Sequence, residues 1–305
     1  MSYERVFDPG VYMTEVKAAA DYIKWQLIMK SIDFQPEFAL TLGSGLGDLA
    51  EQIKPLLVIP YSQIPHFPLL TVDGHKGEMV IGHLAGVPVI GLSGRKHFYE
   101  VTDQLNGIKQ AVFLAHVVAN LGAKIYFSTN AAGGLNLAFQ TGDLMMIASH
   151  IGFFMPNPLA GAHLDFGGNP RFQPQTEAEE YQPELRSLFR QAAEEVGENE
   201  HLYEGFFGGL PGPTYESRAE SLALRTLGAD AVGMSVIPEI IVAANRGMRS
   251  IGVSIITNLI DKFGNNAASH PKVKAILDNP VTRQRLARTF SKFFELYRKK
   301  HLPPT

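Results

Sequence analysis

The chain has 305 residues, 45% hydrophobic and 19% charged, with a formal net charge of -3; that is the make-up of a globular protein with a substantial core, and it gives no electrostatic case for nucleic acid or an anionic membrane. There is no cysteine, which removes disulfides, thiolate catalysis and cysteine-held metals and fits a reducing, cytoplasmic compartment. The N-terminus carries Glu4, Arg5 and Asp8 without an apolar core, and no apolar run approaches the ~18 residues of a membrane span, so neither a secretory signal nor a transmembrane helix is expected.

Val16, Ala20, Ile23 and Leu27 recur at helical spacing and predict an opening amphipathic helix. Strand Phe38–Leu42 follows, then a glycine-rich loop, Gly43–Gly47, and a short helix toward Ile53. Glu78–Leu84 and Val87–Leu92 flank Ala85-Gly86 as a hairpin. Gln104–Leu121 reads as one helix feeding strand Lys124–Thr129, which is expected to open into a tight loop, T-N-A-A-G-G-L-N, at Thr129–Asn136. Leu144–Ala148 is a short apolar strand, and Asn157–Gln182, rich in Gly and Pro, a long loop of the kind that carries function. Helix Glu184–Glu195, strand Leu202–Gly208, helix Ser217–Leu227, strand Ala231–Gly233, helix Pro238–Arg246 and strand Ser250–Thr257 come next. Leu286, Phe290, Phe293 and Tyr297 mark a final amphipathic helix, and Arg298-Lys299-Lys300-His301 suits its last turn, where cations are favoured. The alternation predicts an α/β protein: a single domain with a central mixed, twisted β-sheet flanked by helices on both faces. Within it, 1–34 is an N-terminal helical segment, 35–275 the core and 276–305 the C-terminal helix.

Three strand ends carry the chemistry. Phe38–Leu42 runs into Gly43-Ser44-Gly45-Leu46-Gly47, Val87–Gly94 into Arg95-Lys96-His97, and Ile125–Phe127 into the Thr129–Asn136 segment. Ligands of α/β sheets sit beyond the carboxyl ends of strands, and glycine lets backbone N–H groups approach an anion. Arg95 offers a planar fork for two oxygens. His97, two residues on, points the same way if the segment is extended. Phosphate is the default anion. The first loop is not a P-loop, because no Gly-Lys-Ser/Thr follows, and Asp48 stands where a dinucleotide fingerprint needs its third glycine, which argues against a nicotinamide dehydrogenase.

The loops form an ordered set: G-S-G-L-G at 43–47, T-V-D-G-H-K-G at 71–77, G-R-K-H-F-Y-E at 94–100, T-N-A-A-G-G-L-N at 129–136, G-P-T-Y-E at 212–216, G-A-D-A-V-G-M-S-V-I-P-E at 228–239 and I-T-N at 256–258. Together they resemble the trimeric purine nucleoside phosphorylases, the family that includes the methylthioadenosine phosphorylases. The resemblance implies phosphorolysis of a purine (deoxy)nucleoside to free base and (deoxy)ribose 1-phosphate, in purine salvage, with inorganic phosphate as co-substrate and no metal or organic cofactor. It further implies phosphate binding by Ser44, His75, Arg95, His97, the backbone of Ala131, and Ser235. Tyr99 and His270 would meet the ribose hydroxyls, and Tyr215 and Met234 would wall the base and ribose. Phe172 would enter a neighbouring subunit's site in a homotrimer. Glu100 is expected to orient Arg95.

Glu216 and Asn258 would decide the base. A 6-oxopurine offers an N1–H donor and O6 and N7 acceptors, whereas adenine has an acceptor at N1 and an amino donor at C6. Ionised Glu216 only accepts and fits N1–H, and the Asn258 amide can donate to N7 and O6. Methylthioadenosine phosphorylases typically carry Asp at the position of Asn258, so the resemblance favours inosine and guanosine and names Asn258, Glu216 and His97 as the catalytic set. A 6-aminopurine, methylthioadenosine or xanthosine enzyme and a non-catalytic nucleotide binder are the alternatives. The chain departs from the family pattern at Val101, Ser149 and Gly167-Gly168-Asn169, which bear on loop shape more than on chemistry.

Overall fold

The computed structural model describes residues 8–43, 47–71, 76–102, 107–160 and 180–303. The expected α/β architecture is present. The strands are β1 (Phe38–Leu42), β2 (Lys54–Pro60), β3 (Glu78–Leu84), β4 (Val87–Ser93), β5 (Ile125–Gly134), β6 (Leu144–Ile151), β7 (Leu202–Gly209), β8 (Ala231–Gly233) and β9 (Arg249–Leu259). The sheet runs β2-β3-β4-β1-β5-β8-β7-β6-β9, and β9 pairs back onto β5. Five strands, β5-β8-β7-β6-β9, thus close on themselves, where an open sheet was the simpler expectation, and the remaining four extend from the ring as a wing. The β3–β4 hairpin turns at Ala85-Gly86, both at positive φ, as a two-residue hairpin requires.

Strand burial explains why these segments read as continuous apolar runs. Side chains of one strand alternate between two faces, and in β1, β5 and β9 both are covered. Phe38, Leu40, Phe127, Ile251, Val253 and Ile255 point into one core, and Ala39, Tyr126 and Ile256 into the other. The first core is closed by α5 (Pro183–Glu195) and α9 (Pro280–His301), whose aromatic residues converge on the sheet. Phe127 stacks on Phe290 with ring centroids 4.8 Å apart, and Phe293 meets Phe127 edge-on at 5.5 Å and Phe38 at 6.0 Å. The second core is closed by α1 (Pro9–Met29), α4 (Phe113–Asn120) and α7 (Ile237–Asn245), with Val16, Ala20, Ile23 and Leu27 of α1 all buried. The basic end of the chain is the last turn of α9.

Four local readings are corrected. Thr129–Gly134 is not a loop: β5 continues to Gly134, because β9 and then β8 supply partners for its backbone. The expected 104–121 helix is two, α3 (Gly107–Ala111) and α4, separated at Val112; residues 103–106 lie outside the described residues. Strand β2 was not foreseen, since Pro55 and Pro60 argue against a strand; β2 pairs only with β3, and proline is tolerated on such an edge. Helix α8 (His270–Leu277) was missed because its apolar spacing is weak; Leu277 is its buried residue. Helices α2 (Gly47–Glu51) and α6 (Arg218–Thr226) form where expected, α6 behind a Ser217–Glu220 capping box. Among the described residues no helix is long and apolar enough to cross a membrane.

The aromatic core gives a stability prediction. Phe293 is fully buried among the rings of Phe38, Phe127, Phe189, Phe294 and Tyr297, so Phe293→Ala is expected to lower unfolding free energy by about 3–5 kcal/mol. Guanidinium denaturation should show the earlier midpoint; a loss under about 1 kcal/mol would mean the site collapses around the cavity at little cost.

Candidate active site

The geometry of β5 creates the site. Along one edge β5 pairs with β9 from Ile125 to Gly134, with a bulge between Ala132 and Gly133. On the opposite edge β1 occupies Ile125–Ser128, and β8 joins only at Gly133–Gly134. Residues 129–132 therefore face the gap where β1 has ended and β8 has not begun, a switch point between neighbouring strands. A cavity of about 320 Å³ opens there, walled by Gly43, Asn130, Ala131, Ala132 and Gly133.

The sequence-nominated residues Arg95, His97, Tyr99, Ala131, Tyr215, Glu216, Met234, Ser235, Asn258 and His270 all line this one cavity. They come from the end of β4, from β5, from the loop before α6, from the β8–α7 junction, from the end of β9 and from the first turn of α8. Ser44, His75 and Phe172 lie outside the described residues. Val232, Gly233, Thr257, Val273, Lys274, Leu277, Asp278 and Arg283 complete the lining; Val273, Lys274 and Leu277 went unforeseen because α8 did.

At one end the cavity is cationic. Arg95 is only 2% exposed. Its Nη2 donates to Thr129 O at 2.6 Å and Ser128 Oγ at 3.3 Å, and its Nε lies 3.3 Å from Glu239 Oε1. Glu239 also accepts from Ser128 Oγ at 3.0 Å. The Arg95 Nη1 has no hydrogen-bond partner among the described residues. A buried charged donor left unmatched is costly, and a bound anion would relieve it. Ser235 sits one residue before Val236, a buried β-branched residue held at φ 74° by a γ-turn, with Ile237 N donating to Ser235 O at 2.9 Å. Such a conformation is strained, and strain of this kind concentrates at functional sites. Here it breaks the chain between β8 and α7 and sets Ser235 on the cavity wall.

Glu100 does not orient Arg95. It accepts from His97 N at 2.7 Å, meets His97 Nδ1 at 3.0 Å and Lys96 Nζ at 3.1 Å, and accepts from Thr71 N at 3.1 Å and from the Thr71 hydroxyl. The distance along a 3-10 turn from His97 to Glu100 suits this, while the partner of Arg95 is Glu239 from α7. Burial raises the Glu100 carboxyl, but the hydrogen bonds from His97, Thr71 and Lys96 outweigh it and hold it far below the ordinary carboxylate range. Ionised Glu100 only accepts, so Nδ1 is the protonated nitrogen of His97. The ring stacks on Tyr99, centroids 4.9 Å apart. Burial, then Glu100, pushes the Tyr99 phenol up to about 12, so it stays a donor.

At the other end lies a polar edge. Glu216 Oε1 accepts from Asn266 Nδ2 at 2.7 Å, and Asn258 Nδ2 donates to Asn266 Oδ1 at 3.0 Å. Asn258 Oδ1 accepts from Thr257 Oγ1 at 3.2 Å. Burial raises the Glu216 carboxyl above its ordinary value, against the hydrogen bond from Asn266. Gly133 makes room for this edge: a Cβ there would meet Asn258 Nδ2 at 3.0 Å and Glu216 Oε1 at 3.4 Å. Neither Asn266 nor Glu239 was given a role from sequence. Asn266 lies in an unpatterned polar stretch that offers no signal; Glu239 ends the last of the long motifs, but Arg95, which it meets in the fold, is far from it in the sequence.

Because Glu100 ties Lys96, His97 and a hydroxyl, Glu100→Gln is expected to cost at least about 2 kcal/mol of stability at neutral pH. The group's folded pKa is depressed, so this advantage of the parent is complete above the ordinary Glu value of about 4.3 and shrinks as pH falls from there toward the folded value. Denaturant titrations of both proteins at neutral and acid pH should show the gap closing on the acid side; a gap independent of pH would place the charge elsewhere.

Comparisons with known proteins identify the relatives of the chain. The model of the phosphorylase superfamily matches residues 37–294. Purine nucleoside phosphorylase 1 of Bacillus subtilis is 40% identical over 264 residues, covering 86% of this chain and 92% of that one. A solved structure of Schistosoma mansoni purine nucleoside phosphorylase in complex with inosine aligns with a TM-score of 0.81 at 32% identity, over 96% of this chain and 98% of that one. A solved structure of Schistosoma mansoni purine nucleoside phosphorylase in complex with adenosine gives 0.80 at 33%, over 95% and 98%. The chain belongs to the phosphorylase superfamily and, within it, to the purine nucleoside phosphorylases.

Proposed function

We propose that the protein cleaves 6-oxopurine ribo- and deoxyribonucleosides, inosine and guanosine, with inorganic phosphate, giving the free base and (deoxy)ribose 1-phosphate for purine salvage. The observation that carries this is the pairing, in one cavity, of a cationic end at Arg95, His97 and Ser235 with an accept-and-donate edge at Glu216 and Asn258. A nucleoside spans the two ends, with its sugar between Tyr99, His270, Met234 and Tyr215.

A phosphate oxygen attacks the anomeric carbon as the C–N bond breaks and its electron pair moves into the purine. Phosphate stabilises the cationic sugar while serving as nucleophile. The Asn258 amide donates to the charge growing on N7 and O6, and preorganised donors of this kind need no rearrangement as charge develops. Glu216 holds the N1–H edge. No side chain becomes covalently attached; holding two reactants in line supplies much of the acceleration, an effect worth roughly 7–11 kcal/mol when the geometry is good. The chemistry calls for no metal or organic cofactor.

Ser44 and His75 belong with the phosphate group and Phe172 with a neighbour's sugar pocket, in a cytoplasmic homotrimer. Exposed Phe153 and Phe154, just beyond β6, support subunit association, since apolar patches of this kind mark contact surfaces. Schistosoma mansoni purine nucleoside phosphorylase has been solved in complex with adenosine as well as with inosine, so selectivity is to be read in turnover.

Asn258→Asp tests the base assignment. A carboxylate facing O6 and N7 repels where the amide donates, but it accepts from a 6-amino group. Each mismatched buried polar group costs about 1–3 kcal/mol, so the inosine-to-adenosine ratio of kcat/KM should fall at least about tenfold. Glu216 still opposes adenine N1, so the switch stays incomplete. An unmoved ratio would remove Asn258 from base reading.

A further inference from the structure

Asn266 does not line the cavity, yet it touches both residues that define the base edge. Its own orientation is fixed by the backbone. Ala268 N is a donor and nothing else, and it donates to Asn266 Oδ1 at 2.9 Å. The oxygen of Asn266 therefore faces Ala268, its Nδ2 faces Glu216, and the group of Asn258 that approaches Asn266 Oδ1 must be its NH₂. With Asn258 Oδ1 turned to Thr257, one N–H of its amide is spent on Asn266, and the second faces the cavity where Gly133 lacks a side chain.

The turn that presents Asn266 is itself tied down. Ile260 bridges Asn266, and Asp261 accepts from Phe263 N at 2.8 Å and from Asn265 N and Nδ2 at 2.9 Å. Arg218 Nε donates to Phe263 O at 2.8 Å, and Arg225 Nη2 to Ile260 O at 2.9 Å. Asn266 thus hangs from a braced loop, and its amide is a fixed dipole.

We propose that Asn266 is the positioning residue that sets the base selectivity of this chain: its amide locks Asn258 as a donor and saturates one oxygen of Glu216, leaving the other to accept N1–H. This rests on the 6-oxopurine reading above. Without Asn266, the Asn258 amide is free to rotate and present its oxygen, which suits a 6-amino group as well as its nitrogen suits O6.

The test is steady-state kinetics of the full-length wild type, Asn266→Ala and Asn266→Asp with inosine, adenosine and varied phosphate, across pH. For Asn266→Ala, kcat/KM for inosine should fall roughly 10- to 100-fold and the inosine-to-adenosine ratio about tenfold, while KM for phosphate stays within about twofold. Asn266→Asp sets a second carboxyl against Glu216, and such a pair holds one proton to higher pH than either acid alone. With that proton in place the new carboxyl still donates to Glu216 and accepts from Asn258, so inosine turnover should approach wild type at low pH and fall as pH rises through the pair's raised pKa. A purely structural role predicts no such pH-dependent rescue. An unchanged ratio in folded Asn266→Ala, or a phosphate KM that rises in step with the loss on inosine, overturns the proposal. If wild type itself prefers adenosine, the 6-oxopurine reading fails first; if wild type prefers inosine and the variants match it, only the role of Asn266 fails.

Discussion

One edge of one strand organises this molecule. Strand β5 is hydrogen-bonded to β9 along its full length, but its other edge is shared by two strands that do not meet, β1 as far as Ser128 and β8 from Gly133. Buried backbone polar groups must find partners. In the gap, Thr129 O takes Arg95, and Thr129 Oγ1 donates to Thr41 O at 2.7 Å. The break in the sheet thus draws a guanidinium inward and holds it at the cavity's floor. Closing the five-strand ring brings β8 and β9 against the same stretch of β5, so that Ser235 and Asn258 face one space although 23 positions separate them in the sequence.

The cations of the site are held in two separate groups. Arg95 leans on Glu239, while Lys96 and His97 share Glu100. Each carboxylate keeps its cations ordered, and buried charges without such partners would shift or move. The consequence is a cationic end arranged in advance of any anion. The base end is built by a different means, from amides and one carboxylate whose directions are set by backbone groups. A fixed array of dipoles can discriminate between bases by polarity, where mere size could not.

Much of this was legible in the sequence. Strands with a continuous apolar run, such as Phe38–Leu42 and Leu144–Ala148, are buried on both faces, and that pattern survives any context. Arg95 and His97 stand out because glycine and chemistry-bearing side chains cluster at that strand end, and Asn258 because the I-T-N motif resembles that of the family. What escaped depends on tertiary partners. Thr129–Gly134 looks like a loop because two adjacent glycines weaken a strand, and only the arrival of β8 and β9 makes it one. Strand β2 hides behind its prolines. Glu100 was matched to the wrong cation because Arg95 and Lys96 are neighbours in sequence but their side chains reach different carboxylates, and Asn266 acts through contacts that no spacing encodes.

An anion corner joined to a base edge in one cavity predicts that base release depends on phosphate. Inosine incubated with the full-length protein should release hypoxanthine only when inorganic phosphate is present, with ribose 1-phosphate appearing in equal amount by phosphorus NMR. Release of hypoxanthine at the same rate without phosphate, with free ribose as the second product, would make the protein a hydrolase and contradict the assignment of Arg95, His97 and Ser235 to a phosphate site.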